Sequence, residues 1–467
     1  MKRNYLLLGA AALALGLSSC QKNNPAEAPQ SEAEGTAYLS VRFNVPTEGW
    51  SRAESGDYNS IGEWEGNDNI ESVDIYVISE GTNTVKVFNM DVNAEREGYQ
   101  TDAWLVTPGT KTVYAVVNNG GAVKNALDGA TAAQFEAKYK AAYALVEGGV
   151  VKGEFASKGT DGKDKIMMTG EPANITVPEG QTKEQALATP AKVEVRRLVA
   201  QVAVSTDMAE DGENGFKVEK DGTVLGHMTD LVWRPNQFET ESYLLWNGVY
   251  TNSSAVKSPK FDATALTEES TLPTEGYSYY EGDAFAVRAL GEGETINATW
   301  ITGEGNNLKF ITESTRGTYQ RGNTAYVVVE GTFVPVAGGF KTGQLSEAGY
   351  TKGTTFYLSY SNNLLYLDKD AALADSQNSE ENIKEYTNGK MYYYAWINPD
   401  KTNHLEWTKS PVVRNNIYNI NVKKIMNYGD NDDVIDDPEK PLNDEETYMA
   451  AEVTVMSWGM HNYNVEF

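Results

Sequence analysis

The chain has 467 residues, 42 of them glycine, and a formal net charge of −27. Such an acidic surface repels nucleic acid, which excludes nucleic acid as a partner. The single cysteine, Cys20, excludes disulfides, a cysteine metal site and a catalytic cysteine from the mature chain.

The N-terminus carries the pattern of an exported lipoprotein. Lys2 and Arg3 precede an apolar run over 5–17, which has the length of a signal-peptide core and is too short to span a bilayer as a mature helix. The run ends in Leu-Ser-Ser-Cys, where small residues precede the thiol that accepts the lipid. We therefore predict a signal peptide over 1–20, with a lipidated Cys20 as the first residue after cleavage.

The next segment changes from a polar tether to a strand. Residues 23–34 are polar and hold two prolines, which is typical of a disordered linker. Residues 37–45 then alternate between apolar and polar, which predicts a half-buried strand. Its apolar face carries Ala37 together with Leu39, Val41, Phe43 and Val45.

Short strands separated by turn signals dominate the body of the chain. Alternating or β-branched runs predict strands at 70–78, 85–90, 112–117, 192–205, 227–234, 241–245, 325–331, 355–360, 391–397, 416–422 and 449–456. One helix is predicted over 132–145. This pattern is typical of β-sandwich domains. We place a loose domain boundary near residue 245, giving domains at 53–245 and 246–429.

The C-terminal region combines an acidic linker with a strand. Residues 430–446 hold nine acidic residues, one lysine and two prolines, which predicts an extended, self-repelling segment. The tail over 447–467 follows it, and its apolar residues alternate with polar ones. We expect the linker to keep this tail from folding back, so that its apolar face must fill a groove. The tail's apolar face comprises Ala451, Val453, Val455, Tyr463, Val465 and Phe467.

No catalytic or metal motif is present in the sequence. The three histidines lie far apart, and there is no nucleophile elbow, phosphate-binding loop or dinucleotide fingerprint. Asp430-Asn-Asp-Asp lacks the glycine and glutamate of a calcium loop. The aromatic run at Tyr392–Trp396 favours a strand with one buried face over a sugar platform. We predict that the chain is not an enzyme and needs no cofactor.

Several motifs, ordered along nearly the whole chain, resemble the Bacteroidota fimbrillins of type V pili, in particular the shaft subunit of minor (short) fimbriae. Relative to that family, the chain is shorter in its middle and in the acidic linker. The motifs that carry the resemblance are Gly62-Glu-Trp64, Ile70-Glu-Ser-Val-Asp-Ile-Tyr76, Met167-Met-Thr169, Arg321-Gly-Asn-Thr-Ala-Tyr-Val, Tyr393-Tyr-Ala-Trp-Ile-Asn-Pro399, Ser410-Pro-Val-Val-Arg-Asn-Asn-Ile-Tyr418, and Tyr448 to Val455 with Trp458.

The resemblance implies two tandem transthyretin-like β-sandwich domains and assembly by donor-strand exchange. It implies an outer-membrane lipoprotein precursor from which an Arg-specific protease removes the propeptide, here 21–52 with its plug strand 37–45. Arg52-Ala53 is the expected cleavage site, because Arg42 lies inside a predicted strand. The vacated groove would accept the tail of a neighbouring copy.

The same resemblance implies a cell-surface fimbria that supports adhesion, colonisation and biofilm formation. Its expected partners are further copies of the chain, tip and anchor subunits, the maturation protease, and host or bacterial surface receptors. Two alternatives stay open. One is a glycan- or protein-binding lipoprotein that keeps its lipid, and the other is a tip or anchor subunit of the same fimbria.

Overall fold

The chain was examined as a computed structural model. It describes residues 35–44, 60–64, 66–90, 99–160, 162–245, 258–260, 265–267, 276–291, 293–297, 300–301, 307–336, 350–375, 377–400, 408–442 and 449–458. Cys20, Val45 and the predicted cleavage site Arg52-Ala53 lie outside these ranges, as do Tyr463, Val465 and Phe467.

The described chain is mainly β, which confirms the predicted fold class at that level. The first strands are β1 (Ala37–Leu39), β2 (Val41–Asn44), β3 (Ser60–Trp64), β4 (Val73–Ser79), β5 (Val85–Met90), β6 (Trp104–Val106), β7 (Gly109–Val117), β8 (Ala142–Ala144), β9 (Val146–Glu147), β10 (Val150–Val151), β11 (Ala156–Lys158), β12 (Asp164–Ile166), β13 (Met168–Thr169), β14 (Ala173–Val177), β15 (Ala191–Glu194) and β16 (Arg196–Arg197). The later strands are β17 (Val199–Thr206), β18 (Phe216–Lys220), β19 (Thr223–Glu239), β20 (Glu241–Tyr243), β21 (Tyr277–Tyr279), β22 (Phe285–Ala286), β23 (Arg288–Ala289), β24 (Lys309–Thr312), β25 (Tyr326–Pro335), β26 (Phe356–Ser359), β27 (Leu365–Tyr366), β28 (Ile383–Tyr386), β29 (Lys390–Trp396), β30 (Asn416–Ile425) and β31 (Met449–Trp458).

Helices in the described residues are short. They are α1 (Gly121–Asp128), α2 (Ala132–Tyr139), α3 (Lys183–Ala188) and α4 (Lys369–Leu373), with 3-10 turns at Gly212–Asn214, Arg321–Asn323, Glu380–Asn382 and Thr387–Gly389. None of the helices in this part of the chain has the length and apolar character needed to cross a membrane.

The predicted helix over 132–145 ends early. Phe135 and Tyr139 are buried on its inner face, as the spacing indicated. After Tyr139, however, residues 142–144 form β8 and pair with β20. Pairing with a strand about a hundred residues away in sequence thus overrides the local helical pattern.

Six strands form the first sheet, in the order β16-β13-β7-β4-β5 with β14 also paired to β7. One face of β4 and β7 is apolar because β-branched residues alternate along both strands. This face packs against β1, β2, β6 and β15 and encloses a buried cluster of fifteen residues between positions 37 and 195. We call this cluster the N-terminal core.

Twelve strands form the second sheet, whose main path runs β23-β17-β30-β18-β19-β25-β29. Strands β17 to β19 lie before residue 245, whereas β25, β29 and β30 lie after it. Strand pairing therefore continues across the predicted boundary near residue 245. The division into two sandwich domains stays a prediction.

Candidate functional site: the plug strand, the tail strand and the acidic strap

Strands β1 and β2 form one extended segment between two other segments of backbone. On one side, Ala37–Leu39 pair antiparallel with Trp104–Val106, and Arg42 bridges Gln100. On the other side, β2 pairs in parallel with β15. Removing residues 37–44 would therefore leave two strand edges without partners.

The apolar face of this segment fills the N-terminal core. Leu39, Val41 and Phe43 are 3%, 0% and 2% exposed, and Ala37 is fully buried. Phe43 also stacks on Tyr99, with 4.9 Å between ring centroids. Full burial of each larger side chain contributes about 1.5–3 kcal/mol. The segment thus supplies four of the fifteen buried residues of this core.

A polar contact interrupts the alternation of the segment. Ser40 is expected to face outward but is 1% exposed. Its hydroxyl donates to the carbonyl of Thr101 at 3.0 Å and accepts from Gln100 Nε2 at 3.2 Å. A small hydroxyl fits here because these two partners satisfy it inside the structure. Ser40 marks the point where pairing passes from β6 to β15.

The tail strand β31 pairs with its own chain. It runs antiparallel to β30, with Ala451 opposite Val422, Val453 opposite Ile420 and Val455 opposite Tyr418. Its other edge pairs in parallel with β3, the strand that follows the predicted cleavage site. Met449 is 4% exposed at the start of the strand. The expectation that the linker keeps the tail from folding back is wrong for this structure.

The acidic linker is also attached to the body rather than extended away from it. We call its described part, residues 430–442, the acidic strap. Asp430 and Tyr392 exchange two backbone hydrogen bonds of 2.8 and 3.0 Å. Asp430 also accepts from Lys384 Nζ at 2.6 Å, and Asp433 pairs with Arg234 at 2.6 Å. These cations offset the repulsion on which the prediction of a free linker rested.

Apolar side chains also anchor the strap to the body of the protein. Ile435 and Leu442 are 2% and 1% exposed and pack on Tyr326, Tyr394 and Trp396 of β25 and β29. The Trp396 indole N–H donates to the Leu442 carbonyl at 3.2 Å. The strap covers this aromatic face, while Tyr393 is buried on the opposite face. The aromatic run is therefore buried on both faces, not on one.

Two backbone bonds attach the far end of the strap. Gly322 N–H donates to the Pro438 carbonyl at 2.8 Å, and Arg321 N–H donates to the Lys440 carbonyl at 3.0 Å. A Cβ at Gly322 would come within 2.4 Å of Pro438 Cβ, so glycine permits this close approach. The Arg321-Gly322 dipeptide belongs to a motif of the resemblance, and here it contacts the strap.

The charges around the strap favour its attachment to the body of the protein. Burial alone would lower the pKa of Lys384, but its bond to Asp430 raises that pKa above the usual range. Burial raises the pKa of Asp432, with contributions from Asp436 and Asp430. Within the described residues, no group of three or more His, Cys, Asp or Glu side chains could hold a metal ion. Among the described residues, Lys384 and Arg234 are the counter-charges of Asp430 and Asp433.

Replacing Ile435 by alanine is expected to weaken the attachment of the strap. Ile→Ala changes at buried sites cost about 2–5 kcal/mol, and this cost should appear as faster amide exchange across 430–442. The neighbouring Val434 is 42% exposed, so Val434→Ala should change exchange little. Hydrogen exchange read by mass spectrometry compares the two variants. Equal exchange in both would contradict the anchoring role of Ile435.

Part of this site was beyond the sequence prediction. Lys384 and Arg234 carried no recognisable signal as partners of the strap. Gly62-Glu-Trp64 of β3 was noted as a motif, but nothing in the sequence indicated that β3 pairs with the tail. Two apolar residues within the acidic run, Ile435 and Leu442, were the available signal for a docked strap. Unattached linkers are typically poor in such apolar side chains.

The described residues form a β-rich chain in which the segment 37–44 lies between two other backbone segments and β31 adds to the edge of a sheet. Residues 384–464 match the family model described as "Major fimbrial subunit protein type IV, Fimbrillin, C-terminal". The chain is also 29% identical over 512 residues to the minor fimbrium subunit Mfa1 of Porphyromonas gingivalis, covering 100% of both chains. The C-terminal part of the chain therefore matches a fimbrillin model, and the whole chain is similar to a fimbrial subunit.

Solved structures of fimbrial proteins are also similar to the chain. A fimbrilin (fimA) of Porphyromonas gingivalis W83 matches with a TM-score of 0.44 and 15% identity, covering 92% of this chain and 99% of that one. The tip fimbrial protein Mfa3 of Porphyromonas gingivalis, with a C-terminal truncation, matches with a TM-score of 0.39 and 12% identity. That match covers 90% of this chain and 99% of Mfa3.

Proposed function

We propose that the chain is a structural subunit of a cell-surface fimbria and that it polymerises by protease-triggered donor-strand exchange. The observation that carries this proposal is the plug segment 37–44, which lies between two partner segments and fills the N-terminal core. Excision of this segment would leave a groove with apolar walls and two open edges. Such a groove is the acceptor that β-strand addition requires.

The tail is the matching donor. Strand β31 has ten residues, enough to span the eight positions of 37–44, and its sequence alternates as the plug does. Transfer of a tail from one copy to the next joins different surfaces of the two subunits. Such a head-to-tail contact does not close on itself, so it extends into a filament.

The pairing of the tail with its own β30 adds a step to this proposal. Before assembly, the tail strand completes a sheet within its own chain, and the plug segment fills its own groove. Exchange therefore requires the tail to leave β30 and β3. Release of the propeptide after Arg52 would change the chain leading into β3, eight residues further on, and β3 pairs with the tail.

Delivery and adhesion complete the proposal. The lipid on Cys20 holds the precursor at the outer membrane until an Arg-specific protease cleaves after Arg52 and releases lipid and plug together. The fibre then joins with tip and anchor subunits, binds host or bacterial surface receptors, and supports colonisation and biofilm formation.

Three variants test the proposal in the bacterium that makes the fibre. We expect wild-type surface protein to begin at Ala53 and to give ladders on unboiled gels. Arg52→Ala should keep the lipidated Cys20 and give no ladder. Deletion of 449–467 should leave processed protein without polymers. Arg42→Ala is the matched control. Arg42 lies in β2 and is not an expected cleavage site, so this variant should be processed and should polymerise as the wild type does.

Each result bears on a separate step. Ladders from the tail deletion would refute the donor role of the tail. Normal processing of Arg52→Ala would refute the cleavage site. A wild-type chain that keeps lipidated Cys20 as a lone monomer would instead support a binding lipoprotein.

A further inference from the structure

A pocket of about 340 Å³ lies away from the plug, the tail and the strap. Strands β10 and β11 form one wall, and β22 and β24 with Pro235 of β19 form the other. Its volume lies within the range of small-molecule sites, roughly 300–1,000 Å³. The apolar part of its lining comprises Val150, Val151, Pro235, Phe285, Leu308 and Phe310.

One of two lysines gives this apolar pocket its positive charge. Lys158 and Lys309 both line it. Lys158 Nζ lies 2.6 Å from Asp164 Oδ1, so its charge is compensated. Lys309 forms no ion pair with any described residue; its Nζ lies 3.9 Å from the centroid of the Phe285 ring.

The ammonium of Lys309 is half-buried and poorly compensated. Burial and the charge of Lys158 both lower its pKa. The contact with the Phe285 ring offsets part of the burial cost. A carboxylate beside Lys309 would offset the remainder, because a charged hydrogen bond gains strength where water is excluded.

The aromatic wall is built before any ligand arrives. The ring of Phe285 lies 5.0 Å from that of Tyr280 and 5.4 Å from that of Trp233. Opposite, Gly149 comes so close to Tyr280 that an added Cβ would lie 2.5 Å from Tyr280 Cα. Packed aromatic rings and close backbone contact hold the pocket in one shape, which lowers the entropic cost of binding.

We propose that this pocket binds an amphipathic carboxylate, with its apolar body between β10 and β24 and its carboxylate on Lys309. An alkyl or aryl body fits the apolar lining, while a single negative charge matches the ammonium of Lys309, which has no ion pair among the described residues. The site goes beyond the fimbrial function and does not depend on donor-strand exchange.

Titration calorimetry on the full chain tests the site with decanoate and with 1-naphthylacetate, which separate straight-chain from aromatic carboxylates. We expect one saturable site for at least one of them. Lys309→Met should weaken binding by about tenfold, since the charged contact is lost. Val150→Trp should weaken it similarly by filling the pocket, and Val150 is 50% exposed, so the fold should tolerate the change.

Charge-matched controls separate this site from general attraction. Lys140→Gln removes one exposed positive charge directly after α2, outside the pocket, and should leave affinity unchanged. Decyltrimethylammonium carries the same alkyl chain with a positive head and should bind more weakly than decanoate. Absence of saturable binding by both carboxylates, or equal losses in Lys309→Met and Lys140→Gln, would overturn the proposal.

Discussion

Replacing Phe43 by alanine in the uncleaved chain should lower its free energy of unfolding by about 3–5 kcal/mol, because Phe→Ala changes in packed cores have that cost. Phe43 is 2% exposed, stacks on Tyr99 and contributes to the N-terminal core. Chemical denaturation of the chain in an Arg52→Ala background, which keeps the plug in place, measures the change.

Arg42, next to Phe43 in β2, provides the control substitution. Arg42 is exposed and bonds to Gln100 Oε1 at 2.6 Å, so Arg42→Ala should cost about 1 kcal/mol. If Phe43→Ala and Arg42→Ala cost the same, the plug does not contribute its apolar face to stability. In the proposed maturation, cleavage after Arg52 would remove Phe43 with the propeptide, so the mature chain should be insensitive to the substitution.

Arg197→Met should lower the free energy of unfolding by about 3–5 kcal/mol, because the substitution leaves the buried carboxylate of Asp68 unpaired. Arg197 is fully buried, and its guanidinium donates to both carboxylate oxygens of Asp68. Its Nε lies 2.9 Å from Asp68 Oδ1, and its Nη2 pairs with Asp68 Oδ2. It also donates to Asn415 Oδ1 at 2.9 Å. These contacts join the segment after β3 to the residue before β30. Strands β3 and β30 are the two strands that flank the tail.

A double variant separates the loss of the pair from the loss of packing. Arg197→Met with Asp68→Leu removes both charges and should recover part of the stability, because no unpaired charge remains. Lys165→Met breaks an exposed pair with Glu71 and should cost at most about 1 kcal/mol. Denaturant unfolding of these three variants is the measurement. A loss for Arg197→Met no larger than that for Lys165→Met would refute the assigned role.

The strands were predictable because their signals are local. Residues 37–43 alternate, and the burial of Leu39, Val41 and Phe43 follows that alternation directly. The exception, Ser40, depends on Thr101 and Gln100, about sixty positions away. A pattern of period two contains no information about such a partner.

The state of the linker and tail was not predictable, because distant residues decide it. Nine acidic residues predict mutual repulsion, yet Lys384 and Arg234 lie opposite Asp430 and Asp433. The pairing of β31 with β30 depends on which strand edge is open, and the sequence does not specify edges. The composition of the linker therefore indicated its negative charge, but it did not indicate which cations lie opposite that charge.

The anchored strap has a mechanical consequence for a fibre. In the proposed assembly, tension between neighbouring subunits enters each subunit through its tail, and the strap lies just before the tail in the sequence. Ile435, Leu442 and the ion pairs of Asp430 and Asp433 attach that segment to β25, β28 and β29 and to Arg234 of β19. A pulling force would thus be distributed across a sheet before any strand is peeled away. The acidic run would then carry the tension between neighbouring subunits of the filament.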